Sequence, residues 1–233
     1  QHAVHQFSSE NVCIPTIDSD VGILAVYYKD RIRCNIFVEI GSRSKRRILS
    51  ISLISENIGK EMSDALPTLH VVSGCDSASS FHGIGKQRVY KVMKSPDRFN
   101  AALVQMGDTF DLDMDHFPAL QEMIAQCYGI KGCDNINDAR YWKFCTKAKV
   151  PEPHKLPPTK DELLLLCKRA SYVTCIWKSA LRATVSPPHP SGYGWLEANG
   201  LLEIKWMNHL RRMRSRIVIQ MRTTRRRKRR RPA

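Results

Sequence analysis

The sequence predicts a mixed α/β fold followed by a mainly helical C-terminal region and a strongly basic tail. Short apolar runs of strand length, such as NIFVEI at residues 35–40, lie in the first part of the chain. From Ser55 onwards, longer segments show the spacing of apolar residues that is typical of helices. The chain ends in a run of Arg and Lys without any acidic residue.

The first predicted elements are a strand and a helix joined by an acidic turn. The segment NVCIPT reads as the strand. Pro15 argues against a central position in a sheet, because proline has no N–H to donate to a neighbouring strand. After the turn, apolar residues recur at the spacing of one helical face, namely Val21, Leu24, Ala25 and Tyr28. We therefore expect a strand–turn–helix unit at the start of the chain.

Two further strands and a helix are predicted next. The strands are NIFVEI and ILSISLI (residues 48–54), separated by the basic turn GSRSKRR. The helix is predicted from Ser55 to Val72. Pro67 lies inside this helix, and we expect it to kink or break the helix because proline removes an interior hydrogen bond.

Three helices and one strand are predicted in the remainder. The helices are KQRVYKVM at 86–93, FPALQEMIAQCYG at 117–129 and the long segment at 159–181. Thr159 and Glu162 have the spacing of a capping box, in which each side chain bonds the backbone N–H of the other residue. The segment LLEIKWM is predicted to form a strand.

Composition excludes several classes of protein. Hydrophobic residues make up 42% of the 233-residue chain and charged residues 25%, as in folded proteins. No run approaches the roughly 18–20 apolar residues of a membrane span, and the N-terminus has no apolar signal-peptide core. We therefore expect an intracellular protein without a membrane partner. Because the chain does not begin with Met, we also expect it to be a fragment.

The cysteines are predicted to be reduced thiols, several of them in the core. There are eight, and no two of them form a CxxC pair. Zinc sites need paired ligand spacing, and disulfides are rare without a secretory signal.

The positive charge is concentrated at the C-terminus. Between Lys205 and Ala233 there are 13 Lys or Arg and no acidic residue, whereas residues 1–204 carry 24 basic and 22 acidic side chains. The run RRRKRRR at 225–231 is typical of a nuclear localisation signal or of a non-specific contact to nucleic acid. A solvated tail without a specific role is the alternative.

Three carboxylates follow apolar segments of the chain. Asp18 and Asp20 flank one residue at the expected end of a strand, where open α/β sheets place their ligand sites. Asp76 follows a second apolar run, LHVVSGC. A few aspartates suffice for Mg²⁺, which prefers oxygen ligands and keeps several waters. Ordinary turn and N-cap chemistry explains the same residues equally well, because Asp is common at both positions.

A glycine-rich turn precedes the basic segment KQRVYKVM. Gly83 and Gly85 would let backbone N–H groups approach a phosphate, and the N-terminus of the following helix would add positive potential. The turn is not an ATP-type P-loop, because Ser80 and Gln87 stand where that motif needs Gly and Ser or Thr. An ordinary loop that starts a helix is the alternative.

Taken in order, these motifs resemble the second half of the PIN-like nuclease domain of the flap endonucleases. That family has an acidic pair after a strand, a later Gly-(Cys or Ser)-Asp, and a Gly-Ile-Gly turn in a helix–turn–helix that grips duplex DNA. The closer resemblance is to uncharacterised, multi-copy PIN-like proteins of invertebrate genomes. Their shared motifs appear here as IDSDVG, ALPTLH, GCD, SFHGIGK, LPPTKD and GYGW.

The resemblance implies a PIN-like domain with a parallel sheet flanked by helices. It implies that Asp18, Asp20 and Asp76 hold Mg²⁺ or Mn²⁺ as catalytic carboxylates. It also implies that the partner is duplex or branched DNA, gripped through its phosphates. The DNA-contacting residues would be Gly83, Gly85, Lys86 and Arg88.

Two departures from the nuclease pattern decide the expected function. The family uses about seven acidic residues around two metal ions, and the chain has no counterpart of the upstream group. Lys86 also replaces a proline, and Gln87 a lysine, in the family's glycine turn. We therefore expect a nuclease-derived DNA-binding module that is catalytically incomplete. The alternative is a Mg²⁺-dependent, structure-specific DNA endonuclease.

Three regions are predicted. Residues 1–130 form a partial PIN-like nuclease domain with the Gly-Ile-Gly helix–turn–helix, 131–207 a mainly helical extension, and 208–233 a basic, disordered tail. The tail and the DNA-binding motif together favour a nuclear location.

Overall fold

The computed structural model describes residues 10–41, 46–94, 97–146, 149 and 151–207, which form a mixed α/β structure. The described strands are β1 (Asn11–Thr16), β2 (Asn35–Ile40), β3 (Arg47–Ser50), β4 (Trp195–Ala198) and β5 (Leu201–Ile204). The described helices are α1 (Ser19–Tyr28), α2 (Ile51–Ile58), α3 (Lys60–Val72), α4 (Lys86–Met93), α5 (Asp97–Gln105), α6 (Phe117–Cys127), α7 (Ile136–Cys145) and α8 (Lys160–Lys178).

The first sheet has three strands in the order β1-β2-β3. Strands β1 and β2 are parallel and joined through α1, with Asn11 opposite Asn35 and Thr16 opposite Ile40. Strand β3 is antiparallel to β2. The predicted parallel sheet is therefore wrong in part, because the described sheet is small and mixed. Pro15 is tolerated because β1 is an outer strand of the sheet as described.

The predicted strand at 48–54 is wrong in its second half. The observed strand, β3, ends at Ser50. The Ser50 side chain caps α2 by accepting a hydrogen bond from the Leu53 N–H at 3.4 Å. Ile51, Ile54 and Ile58 recur at helical spacing and pack in the small core beneath the sheet. Burial of this helical face overrides the local strand preference of the β-branched residues.

The helix predicted from Ser55 to Val72 breaks at a glycine and not at the proline. Gly59 has φ of +81°, which separates α2 from α3. Helix α3 continues through Pro67, which is buried. Leu69, Val71 and Val72 on the same helix are also buried, so packing offsets the single backbone hydrogen bond that Pro67 cannot make.

The other predicted elements are confirmed with small shifts at their ends. Helices α4, α6 and α8 lie within or match the predicted segments, and α3 ends at Val72, as predicted. Thr159 and Glu162 form the predicted capping box, with both hydrogen bonds present. The predicted strand at the end of this region is β5, which pairs with β4 in a hairpin.

The larger core is made by helices α3 to α8. Helix α3 packs against α5 and α8, while α6 packs against α4, α5 and α7. The boundary predicted at residue 130 falls between α6 and α7, and helices from both sides of it share this core. Cys127, Cys167 and Cys175 are buried, as expected. The predicted basic tail at 208–233 lies outside the described residues.

Candidate functional site

An open acidic pocket of about 340 Å³ lies at the carboxyl end of β1, between α1, the start of α4 and the turn after α3. Asp18, Asp20 and Asp76 all line it. The structure thus brings together the three carboxylates that the sequence singled out. The apolar run LHVVSGC before Asp76 forms the end of α3 and the start of a tight turn.

Asp18 is the N-cap of α1. Its carboxylate accepts a hydrogen bond from the Asp20 N–H at 2.9 Å, and its own N–H donates to the Thr16 hydroxyl at 3.0 Å. Such capping satisfies a backbone donor of the first helical turn. Capping is therefore a structural role that Asp18 has in addition to facing the pocket.

His70 bonds Asp20 at the inner wall of the pocket. Its Nε2 lies 2.7 Å from Asp20 Oδ1, and its side chain is only 4% exposed. Burial lowers the pKa of His70 below its usual 6.5, and the charge of Lys86 lowers it further, while Asp20 and Asp18 oppose the shift. A neutral His70 that donates its Nε2–H to Asp20 fits this environment, so one carboxylate oxygen of the pocket already has a partner.

Asp76 lies at the exposed tip of a tight turn that starts at Gly74. Cys75 and Ala78 exchange backbone hydrogen bonds of 3.2 and 3.1 Å, which places Asp76 at the exposed tip. Gly74 has φ of +109°, and a Cβ there would lie 2.6 Å from the Ser80 Cβ. The Gly-Cys-Asp sequence therefore has a clear local requirement for glycine at its first position.

Lys86 brings a positive charge into the same pocket. It is the first residue of α4, and its ammonium donates a hydrogen bond to the Gly74 carbonyl. The side chain lines the pocket together with the three aspartates. The sequence prediction placed Lys86 on a DNA phosphate, whereas its ammonium here has an intramolecular acceptor.

The pocket does not fit the metal centre that the family resemblance implies. Within the part of the chain that the structure describes, no three His, Cys, Asp or Glu side chains are placed so that they could hold one metal ion. Asp20 is bonded to His70, and Lys86 contributes a cation of its own. A site for Mg²⁺ needs free, converging oxygen ligands, so we derive no hydrolytic step from this arrangement.

The glycine turn beside the pocket leads directly into α4. The Ile84 N–H bonds the Phe81 carbonyl at 3.1 Å, and Gly83 has φ of +71°, which glycine adopts without strain. Gly85 is the N-cap of α4 with φ of −85°, and no side chain caps this helix. A Cβ at Gly85 would meet nothing within 4 Å, so the described structure itself does not require glycine there.

Helix α4 carries several exposed basic side chains. Lys86, Arg88, Lys91 and the following Lys94 are exposed, and no acidic residue occurs between residues 77 and 96. Arg88 donates to the Cys127 and Gln126 carbonyls at 3.2 and 3.3 Å, which ties α4 to the C-terminal end of α6. Arg88, which the sequence predicted to contact a phosphate, therefore has a structural role in the described fold.

Sequence reasoning missed His70 as a member of the pocket. The residue stands in the motif ALPTLH, which carried part of the family resemblance but was given no chemistry. Its position four residues before Gly74 places it on the last turn of α3, facing α1. A histidine in the last turn before a Gly-x-Asp turn was the available signal.

Comparison with models of protein families, with curated proteins and with solved structures finds no match to this chain. What the structure itself shows is a mixed α/β protein with an acidic pocket beside a glycine turn and a basic helix. No described helix is both long and apolar enough to cross a membrane.

Proposed function

We propose that this chain is a nucleic-acid-binding module of nuclease-like design, which holds duplex or branched DNA by its phosphates and does not cleave it. The observation that carries the proposal is the Gly83–Gly85 turn with its uncapped, basic helix α4. Phosphate contacts of this kind supply affinity and register but no sequence reading.

Gly85 gives the strongest support, because no contact within the described structure explains why this position is glycine. Glycine is a weaker helix N-cap than Ser, Asp or Asn, and the position has ordinary φ and open space above Cα. Close approach of a ligand to the backbone N–H groups of Gly85 and Lys86 would explain why a side chain is lacking.

The charges of α4 support the same ligand. Lys91 and Lys94 extend the positive face beyond the turn, with the Lys94 ammonium 4.7 Å from the centre of the Tyr90 ring. Each phosphate that such a face neutralises releases counterions, so binding should weaken with salt. Arg88 can contribute through its positive potential while it holds α6.

We further propose that the first part of the chain is the second half of a PIN-like domain and that the protein is nuclear. The parallel β1–α1–β2 unit, with Asp18 just beyond β1, supports the fold. The basic run at 225–231 supports the location. Both rest on the sequence resemblance as well.

The test is a salt titration of duplex affinity on a chain that ends at Met207. This end removes 12 of the 37 Lys and Arg but keeps the Lys205 N–H bonded to the Gly194 carbonyl. Because only a few phosphates can reach the turn, we expect a shallow slope for log K against log salt, about −2 to −3 at −0.9 per phosphate. Gly85→Val should lower the affinity about tenfold by blocking the approach to the backbone.

Gly22→Val is the matched control. Gly22 and Gly85 both lie in open space without a positive φ, but Gly22 is in α1. We expect the control to bind DNA within twofold of the truncated parent. Equal affinity of the parent and both variants would contradict the proposal and leave residues 83–88 as a helix-initiating turn only.

Hydrolysis is tested separately. We expect the full chain to show little or no cleavage of flapped or nicked DNA with Mg²⁺ or Mn²⁺. Robust cleavage that disappears in Asp76→Ala would establish the endonuclease alternative instead.

A further inference from the structure

Two histidines from separate segments of the chain meet beside the glycine turn. The ring centres of His82 and His154 lie 4.3 Å apart, and the ring planes are at 77°, which is an edge-to-face contact. His82 belongs to the turn before α4, and His154 to the short 3₁₀ helix Pro153–Lys155 before α8. The contact therefore brings a second segment against the glycine turn.

His82 lies at the tip of the glycine turn itself. The Ile84 N–H that bonds the Phe81 carbonyl closes a turn whose two central residues are His82 and Gly83. The side chain of His82 is exposed, and Gly85, the N-cap of α4, follows three positions later. DNA that is held at the backbone N–H groups of Gly85 would therefore pass close to this imidazole.

Glu152 and Lys155 form a small charge cluster with the two histidines. His154 Nε2 lies 3.1 Å from Glu152 Oε2, and the Lys155 ammonium lies 3.1 Å from Glu152 Oε1. The hydrogen bond from Lys155 lowers the pKa of Glu152, and the charges of Lys155, His154 and His82 lower it further. The charges of Glu152 and Lys155 cancel, so protonation of the two histidines would leave the cluster with an excess of positive charge.

We propose that His82 and His154 form a second phosphate contact of the DNA site, which is present when their imidazoles are protonated and is lost when they are neutral. The inference rests on the proposed function and adds regulation by pH to it. A phosphate beside both rings would favour their protonated form and offset the repulsion between two positive rings in contact.

The other cations of the chain cannot respond to pH in this way. Lys and Arg keep their charge between pH 6 and pH 8, whereas histidine ordinarily changes its charge in this range. The α4 lysines and the backbone N–H groups of the turn therefore supply a constant part of the affinity. The histidine pair adds a part that grows as the pH falls.

The test is a salt titration of duplex affinity on the full chain at pH 6 and at pH 8. One or two further phosphate contacts at pH 6 should make the slope of log K against log salt steeper by about 1–2. The double variant His82→Gln/His154→Gln should lose this difference. His189→Gln is the matched control and should retain it, since His189 is also exposed and lies 3.6 Å from a carboxylate oxygen of Glu197.

Glu152→Gln tests the cluster from the opposite direction. Without the carboxylate, His154 and Lys155 are free to bind phosphate, so the affinity at pH 6 should rise about threefold or more. The same change should have a smaller effect in a chain that already carries both histidine substitutions. An unchanged affinity of Glu152→Gln at pH 6 would contradict the proposed contact.

Equal pH dependence in the unmodified chain, the double variant and His189→Gln would overturn the inference. The proposed function is judged separately, by the effect of Gly85→Val at pH 8, where histidine is ordinarily neutral. Loss of the pH effect with the Gly85→Val effect intact would remove the histidine contact and leave the DNA-binding proposal standing.

Discussion

The two halves of the segment from Gly74 to Lys94 differ in how far contacts within the protein explain their residues. In the first half, Gly74 meets Ser80 too closely for any other residue, and Cys75 and Ala78 bond each other. In the second half, Gly85 has open space and α4 has no cap. The first half is thus required by internal packing, while the second leaves the first turn of α4 without a side-chain cap, at the place where we propose that DNA binds.

The charged residues also differ in whether they have a bonding partner within the protein. Asp20 is bonded to buried His70, and Lys86 to the Gly74 carbonyl. Lys91, by contrast, is exposed and lies outside the pocket lining. Contacts within the protein therefore explain the positions of Asp20 and Lys86. For Lys91 we propose a contact with DNA instead.

The largest expected effect comes from Gly74→Ala. The positive φ and the 2.6 Å approach to the Ser80 Cβ should together lower the free energy of unfolding by roughly 2–4 kcal/mol. Gly85→Ala is the matched variant and should cost less, about 0.5–1 kcal/mol, because alanine is a poorer helix N-cap than glycine. Urea denaturation of both variants measures the contrast. Equal losses would mean that Gly85 is also required by the fold.

Arg88→Ala should have the next largest effect. It removes two hydrogen bonds to carbonyls at the C-terminal end of α6, where a cation is also favoured by the helix dipole. We expect a loss of about 1–2 kcal/mol in the free energy of unfolding. The control Lys91→Ala should stay within about 0.5 kcal/mol. An Arg88→Ala chain of unchanged stability would show that the contact to α6 is not needed.

The effect of pH should come through His70. Its folded-state pKa lies below the unfolded value of 6.5 because of burial and Lys86, against the opposing charges of Asp20 and Asp18. The unfolded chain therefore takes up a proton first as pH falls, so this contribution is present above pH 6.5 and is lost below it. The slope from this group is at most about 1.4 kcal/mol per pH unit.

His70→Gln tests that slope. Denaturation at several pH values between 5 and 8 should show a smaller fall in stability for this variant than for the unmodified chain. His189→Gln, at a side chain 59% exposed, serves as the control. A slope that is the same in all three chains would remove His70 from the explanation.

The smallest effect is expected from Lys91→Ala on DNA binding. In the chain ending at Met207, loss of one phosphate contact should reduce the salt slope by about 1 without changing the preference for any sequence. Lys160→Ala, an exposed lysine at the start of α8, should leave the slope unchanged. If both variants behave alike, Lys91 does not face the DNA.

Local sequence patterns predicted much of this fold. The capping box at Thr159 was readable because a few neighbouring residues determine it. The segment 48–54 was misread because its isoleucines fit both a strand and a helix, and contacts with distant residues decide between them. Pro67 was misread for the same reason, since burial of α3 outweighs its local effect.

The site was predictable only in part. Asp18, Asp20 and Asp76 share one pocket, as their positions in the chain suggested. The partners that limit their chemistry were not predictable, because His70 reaches Asp20 and Lys86 reaches Gly74 across separate elements. Which carboxylate oxygens stay free depends on those tertiary contacts and not on motif spacing.

The most direct test of the central claim is to map the DNA contact on the folded chain. A ¹⁵N-labelled chain ending at Met207 would be titrated with a short duplex while backbone amide shifts are followed by NMR. The proposal predicts that the largest shifts fall on the amides of residues 83–87, and that Gly85→Val suppresses them. Saturable binding with the largest shifts elsewhere, and none at residues 83–87, would contradict it.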